Sequence, residues 1–265
     1  MKVLYINAGI EAQPRIKTGV YAGRFLGVAG LAFIGCFSLS SNGQAQQNSN
    51  RDAVVELYTS QGCKSCPAAD EILAEAADDP NILALSFNVN YWDYLGWRDT
   101  LATQENTDRQ QAYRDAFTKM VYTPQMIING RVQMNGGDAT AITEQLEGTK
   151  LQVPIAIQRS EDGRLSIEIA TGEKPPFPVH VLIFYIRDSV SIPITKGENA
   201  GKSVTYRNTV ADIDTIGLWE GKAVTFELPA SELDRKDVTG FAVILQEFHE
   251  KNSLGPILGA ALFRE

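Results

Sequence analysis

The sequence predicts an α/β domain followed by an all-β antiparallel, sandwich-like domain, and three observations carry that expectation. Strand-like apolar runs alternate with helical spacing from residue 53 to about 150. From residue 153 onward the apolar period changes to two, with Gly and Pro punctuation, and no helical stretch longer than a turn or two follows. The chain has 265 residues, 44% of them hydrophobic and 21% charged, which suits one or two compact units with a real core. It carries 24 Lys and Arg against 32 Asp and Glu, a net charge of -8, without any basic block. Nucleic-acid binding is therefore disfavoured. Two His and three Cys can build at most one small metal site, which excludes a zinc-rich protein.

Residues 1–45 read as an export signal. Lys2, Arg15, Lys17 and Arg24 precede an apolar run from Phe25 to Leu39, and Gly43-Gln44-Ala45 offers small residues at a cleavage site. The run is shorter than the ~20 residues a spanning helix needs, so no stable membrane span is expected after cleavage. A retained membrane anchor and acylation of Cys36 after Ile34-Gly35 are the alternatives. Cleavage removes Cys36 and leaves only Cys63 and Cys66, in a periplasmic or secreted protein without a disulfide framework.

A polar leader, residues 46–52, opens the remaining chain. Ala53 to Tyr58 reads as a strand, Ser65 to Ala77 as a helix and Ile82 to Val89 as a buried strand. An aromatic loop follows, then a helix from Gln104 to about Lys119 with Tyr113, Ala116, Phe117 and Met120 on one face. Asn129-Gly130 is a two-residue hairpin signal between two short strands, and Asp138 is an N-cap for a helix to about Lys150. That order over residues 53–150 is the order of a thioredoxin-like domain. In residues 151–265, seven strands are expected: Val153 to Arg159, Leu165 to Thr171, Val179 to Arg187, Ser203 to Ile213, Lys222 to Leu228, Gly240 to Glu247 and Ile257 to Phe263.

The chemistry concentrates at Gly62-Cys63-Lys64-Ser65-Cys66-Pro67. Two thiols three residues apart at a helix N-terminus can close a small disulfide, and the helix dipole with Lys64 favours a thiolate at the first. Cys63 is expected to be the exposed nucleophile and Cys66 the resolving thiol. A permanent local disulfide and half a metal site are the alternatives. Thr123-Pro124 stands where a cis proline faces the cysteines in thioredoxin-like folds, so the Thr123 backbone is a candidate substrate contact. Glu56 lies in the apolar run AVVELY, seven residues before Cys63, and reads either as a buried proton relay or as a surface-paired strand residue. Trp92, with Tyr91, Tyr94 and Trp97, forms an aromatic cluster that suits a substrate platform or core. His180 and His249 read as structural.

The segments VVELYTSQGCKSCPAAD (54–70), YWDYLGWRD (91–99), RQQAY (109–113), YTPQM (122–126) and GENAG (197–201) together resemble an exported bacterial thioredoxin-like family catalogued as domain-of-unknown-function family 1223. The resemblance implies a periplasmic protein with an appended β domain and no assigned activity. That family usually carries His-Val-Asp where this chain has Asn88-Val89-Asn90, so no acid–base or metal role transfers from those positions. The combined expectation is an exported thiol–disulfide oxidoreductase acting on protein or small-molecule thiols and disulfides. No organic cofactor is expected, because a cysteine pair holds the electrons and no phosphate-binding glycine pattern is present. The other two readings are a non-catalytic binding scaffold, with the GENAG region meeting a partner, and a copper-handling protein using the same cysteines.

Overall fold

Seven consecutive buried residues, Ala53–Thr59, form strand β1, the near-continuous apolar run of a strand covered on both faces. The computed structural model describes residues 50–117, 119–232, 235–250 and 253–264, so the expected signal over residues 1–45, Cys36 included, lies outside the described residues. Helix α1, Cys66–Ala77, starts with Pro67 in its first turn and buries Cys66, Ala69, Asp70 and Leu73. That i, i+3, i+4, i+7 stripe is one helical face. Strand β2, Ile82–Asn88, runs parallel to β1 with Thr59 opposite Asn88. Helix α2, Gln104–Arg114, is capped by the Thr103 side chain, which accepts from the Asn106 N–H. It ends five residues before the expected Lys119, which itself takes a left-handed φ of 60°. Met120, expected on the inner face, is accordingly 66% exposed.

Strands β3 (Gln125–Ile128) and β4 (Val132–Asn135) are joined through Asn129 and Gly130, both at positive φ, the backbone that Asn-Gly favours in tight hairpins. Asp138 caps helix α3, Ala139–Leu146, by accepting from the Ala141 N–H at 3.1 Å. The seven strands expected beyond residue 151 are all present: β5 (Ile155–Arg159), β6 (Leu165–Ile169), β7 (Val179–Pro193), β8 (Ser203–Trp219), β9 (Val224–Leu228), β10 (Gly240–Phe248) and β11 (Leu254–Arg264).

Their assembly corrects the expected fold class. The chain is not an α/β thioredoxin-like domain followed by an all-β sandwich. It is mostly β, with one mixed eight-stranded sheet in the order β11-β10-β7-β8-β2-β1-β3-β4 and a second sheet of three strands, β5-β6-β9. The join is made where β8 lies parallel to β2, with Ser86 opposite Thr209. A strand edge left open at β2 would expose unpaired backbone groups, and the long β7–β8 hairpin covers it.

Strand alternation assigns the two faces of this sheet. Val54 and Tyr58 of β1, Leu83, Leu85 and Phe87 of β2, Leu182, Phe184 and Ile186 of β7 and Ala242 and Ile244 of β10 share one cluster with Tyr113 of α2. On the opposite face, Val55, Leu57 and Ala84 pack against Ala69 and Leu73 of α1 and Ile142 of α3. Farther along that face, Val181, Ile183, Val243 and Leu245 pack against the three-stranded sheet.

Candidate functional site

Cys63 and Cys66 are disulfide-bonded, with Cα atoms 5.4 Å apart. The chain leaves β1 at Thr59, turns through Ser60 to Ser65 and enters α1 at Cys66. Two backbone bonds shape that turn, Cys63 N–H to Ser60 O at 3.1 Å and Cys66 N–H to Cys63 O at 3.3 Å. The expected exposed nucleophile is corrected here: Cys63 is only 2% exposed and Cys66 is fully buried, whereas the intervening Lys64 and Ser65 face solvent.

The cover comes from the tip of the β7–β8 hairpin, the GENAG segment. Asn199, itself buried, donates from Nδ2 to the carbonyls of Cys63 at 2.8 Å and Gln61 at 3.0 Å. Its Oδ1 accepts from Lys202 Nζ at 3.0 Å. Gly197 and Gly201 bracket it at φ of 78° and 85°, a backbone that side chains disfavour. GENAG therefore meets the cysteine loop of its own chain. Beside it, Trp97 Nε1 donates to Gln61 Oε1 at 2.8 Å.

On the other flank, Trp92 Nε1 donates to Thr123 Oγ1 at 2.8 Å, and the Thr123–Pro124 peptide is cis. Trp92 also closes on the cysteine turn, since a Cβ on Gly62 would stand 3.1 Å from the Trp92 Cβ. The structure thus brings Trp92, Thr123 and the Gly62–Cys63 turn together. Of the aromatic cluster, Tyr91, Trp92 and Trp97 are half-buried against apolar clusters, and Tyr94 is 79% exposed.

Glu56 is fully buried but on the face of β1 opposite α1. Its Oε1 accepts from Arg109 Nε at 2.8 Å and its Oε2 from the Tyr113 hydroxyl at 2.5 Å. Arg109 also donates to Gln246 Oε1 at 2.7 Å, and its guanidinium lies 4.8 Å from the Phe184 ring centroid. Burial opposes the Arg109 charge, but Glu56, Tyr113 and Tyr58 outweigh it and hold the guanidinium protonated. Glu56 is thereby a partner in a closed ion-pair network, and the sheet separates it from α1.

The acid on the cysteine side is Asp70, which the sequence reading missed. It lies one helical turn after Cys66, 3% exposed, and neither carboxyl oxygen has a hydrogen-bond partner of normal geometry. The sheet beneath it changes character at the strand ends: Val55, Leu57 and Ala84 give way to Thr59, Ser86, Asn88 and, on β8, Thr209. The hydroxyls of Thr59, Ser86 and Thr209 and Oδ1 of Asn88 are likewise buried without partners among the described residues. Burial raises the Asp70 pKa to about 8; the nearby Thr59 hydroxyl offsets this in part, and Asp99 and Glu71 add to it. Asp99 is buried too and raised by desolvation, but it accepts from the N–H groups of Gln61, Leu101 and Ala102 and from Asn88 Nδ2. The signal that marks Asp70 is its spacing, since Cys66, Ala69, Asp70 and Leu73 share one stripe.

His180 stacks on Phe248 and His249 packs tilted against Phe177, each with centroids 4.0 Å apart. Among the described residues, no three His, Cys, Asp or Glu side chains group in a way that could hold a metal. No described helix is long and apolar enough to cross a membrane.

No curated protein matches the chain. Two solved structures resemble it. The crystal structure of protein AGR_C_4864 from Agrobacterium tumefaciens is 36% identical, with a TM-score of 0.72 over 81% of this chain and 94% of that one. HBP35 of Porphyromonas gingivalis is 13% identical, with a TM-score of 0.57 over 82% and 76% of the two chains, a likeness of fold alone. A family model matches residues 54–246, which takes in the cysteine turn, the Glu56–Arg109 network and the capping tip. By that match the chain belongs to the family described as protein of unknown function, DUF1223.

Proposed function

We propose that the protein exchanges disulfides through Cys63 and Cys66 outside the cytoplasm. The observation that carries this reading is the placement of the pair between a buried strand and a helix N-terminus. The helix dipole there stabilises a thiolate, and the ring that opens and closes joins residues only three apart in sequence. The export signal read over residues 1–45 supports an oxidising compartment. Asp70, protonated at neutral pH, stands one turn from Cys66 as a group that can give or take a proton when the resolving thiol forms. Thr123, Pro124 and Trp92 line the flank on which a substrate would lie.

The test is the reduction potential of the pair in a glutathione or dithiothreitol buffer. A value above about -300 mV fits exchange; one well below it places the pair with inert structural disulfides. The burial of both cysteines favours that second reading, a non-catalytic protein with a local disulfide staple, so this measurement decides between the two. Order of attack follows from the same scheme. The Cys66→Ser variant, given oxidised glutathione, should accumulate a mixed disulfide at Cys63, and Cys63→Ser should accumulate far less. Equal trapping by both variants would remove the assignment of Cys63 as nucleophile.

A further inference from the structure

We infer that the tip of the β7–β8 hairpin, through Asn199, selects the thiol that can reach the disulfide and restricts it to small molecules. The inference rests on the exchange reading above. Both sulfur-bearing residues are buried, so an attacking sulfur reaches Cys63 only where its cover parts, and the solvent-facing Lys64 and Ser65 mark the nearest surface. Asn199 holds one side of that cover. Its amide is fully engaged, with two N–H groups on the Cys63 and Gln61 carbonyls and its oxygen on Lys202.

The tip that carries it is rigidly tied. Gly201 N–H bonds Ile194 O at 2.8 Å, Ile194 N–H bonds Lys202 O at 2.9 Å, and Lys202 N–H bonds Asn199 O at 3.1 Å. Trp97 backs it, since a Cβ on Gly197 would stand 3.2 Å from the Trp97 Cβ. Across the mouth, Lys64 and Glu198 approach to 3.9 Å, both largely exposed, a weak and screened pair. Trp92 bounds the other side through Thr123 and Gly62. Any attacker must part these walls to reach Cys63, and a folded protein must part them further than a small thiol, so the tip resists the protein more. Lys64 and Lys202 flank this approach, with Glu198 beside Lys64 offsetting part of their charge.

The reaction is a two-step reduction. A small thiolate attacks Cys63 Sγ, a new S–S bond forms to the small molecule, and the Cys63–Cys66 bond breaks with its electron pair leaving on Cys66, which takes a proton. A second small thiolate attacks the small molecule's sulfur in the mixed disulfide. Cys63 leaves as a thiolate and takes the second proton, so two thiols become one small disulfide and the chain gains two electrons and two protons.

The experiment compares second-order rate constants for reduction of the intact protein by reduced glutathione and by a folded dithiol protein, each normalised to its own reaction with an unhindered model disulfide. In the unmodified chain, glutathione should be favoured at least tenfold. Asn199→Ala should narrow that preference at least fivefold by speeding the protein dithiol. Asn199→Asp keeps the shape but sets a carboxylate against two carbonyls, and it should act in the same direction if Asn199→Ala does not fold. Equal normalised rates in the unmodified chain, or variants that change both rates by one factor, would overturn the selecting role while leaving exchange in place. If neither reductant opens the disulfide in the unmodified chain or in the variants, the exchange reading itself falls, and the inference with it.

Discussion

Replacing Arg109 by Met destabilises the protein by about 3–5 kcal/mol, the range observed when one partner of a buried ion pair is removed. The cost arises at Glu56. Its carboxylate is fully buried and takes its bonds from Arg109 Nε and the Tyr113 hydroxyl; without the guanidinium it must stay charged and unpaired or take up a proton. Gln246 Oε1 loses its donor as well, and the cation over Phe87, Tyr113 and Phe184 disappears. Adding Glu56→Leu to Arg109→Met should recover much of the loss, because a buried pair replaced by apolar groups is often neutral or stabilising. As a surface comparison, Glu198→Ala, which breaks the exposed pair with Lys64, should cost well under 1 kcal/mol. Denaturant unfolding at constant m reads all of these. A cost below about 1 kcal/mol for Arg109→Met would sink the claim that this pair is essential to the core. One further variant settles the role of Glu56. Since it lies across the sheet from α1, Glu56→Gln should change stability without moving the pH profile of disulfide reduction; a moved profile would restore a proton-relay role.

The elements of this fold were legible in order and type, with ends misplaced by up to six residues at β7 and β8, and their assembly was not. Hydrophobic periodicity tells which side of a strand is buried and nothing about which strand lies beside it. The runs of β7 and β8 read as members of a separate sheet, although Val181 to Ile186 is apolar without alternation and buried on both faces, the mark of a strand inside a covered sheet. Only the parallel contact between β8 and the edge of β2 makes one sheet of the two halves. The site divides in the same way. The cysteine pair, Thr123-Pro124 and the aromatic loop are local patterns with local chemistry, and the structure brings them together. Glu56 was visible as an acid in an apolar run, but its partners lie more than fifty residues away. The spacing of Arg109 and Tyr113 at i, i+4 on α2 was the only hint of a paired face. Asn199 was inside a quoted motif, yet nothing in GENAG names what its amide meets. Asp70 was the most accessible omission, because its place on the buried stripe of α1 follows from counting.

That omission carries the second large effect. Asp70 keeps its proton in the folded chain up to about pH 8, against an ordinary value of 3.8. In the unfolded chain it loses the proton near the ordinary value, so between about pH 4 and pH 8 the folded state binds more protons than the unfolded one. Stability therefore falls as pH rises through that window and levels off above it. At about 1.4 kcal/mol per pKa unit, the full loss is of order 5 kcal/mol, an upper bound because local opening or water entry would relieve it. Asp70→Asn keeps the size and the neutral state of the protonated acid. It should leave stability near pH 4 within about 1 kcal/mol of the unmodified chain and exceed it by several kcal/mol near pH 9, as expected for removing an unpaired buried charge. Asp99, raised by burial despite its four donors, adds to the fall in the same direction, so the difference between the two proteins, rather than the slope of either, isolates Asp70; Glu71 lies on the outer side of the helix, and Tyr206, raised by burial and by both acids, stays neutral throughout the range. The measurement is the unfolding free energy of both proteins from pH 4 to pH 9 with the disulfide intact. Parallel curves would mean that Asp70 is ionised in the folded chain, and its proposed service as a proton donor to Cys66 would fall with that result.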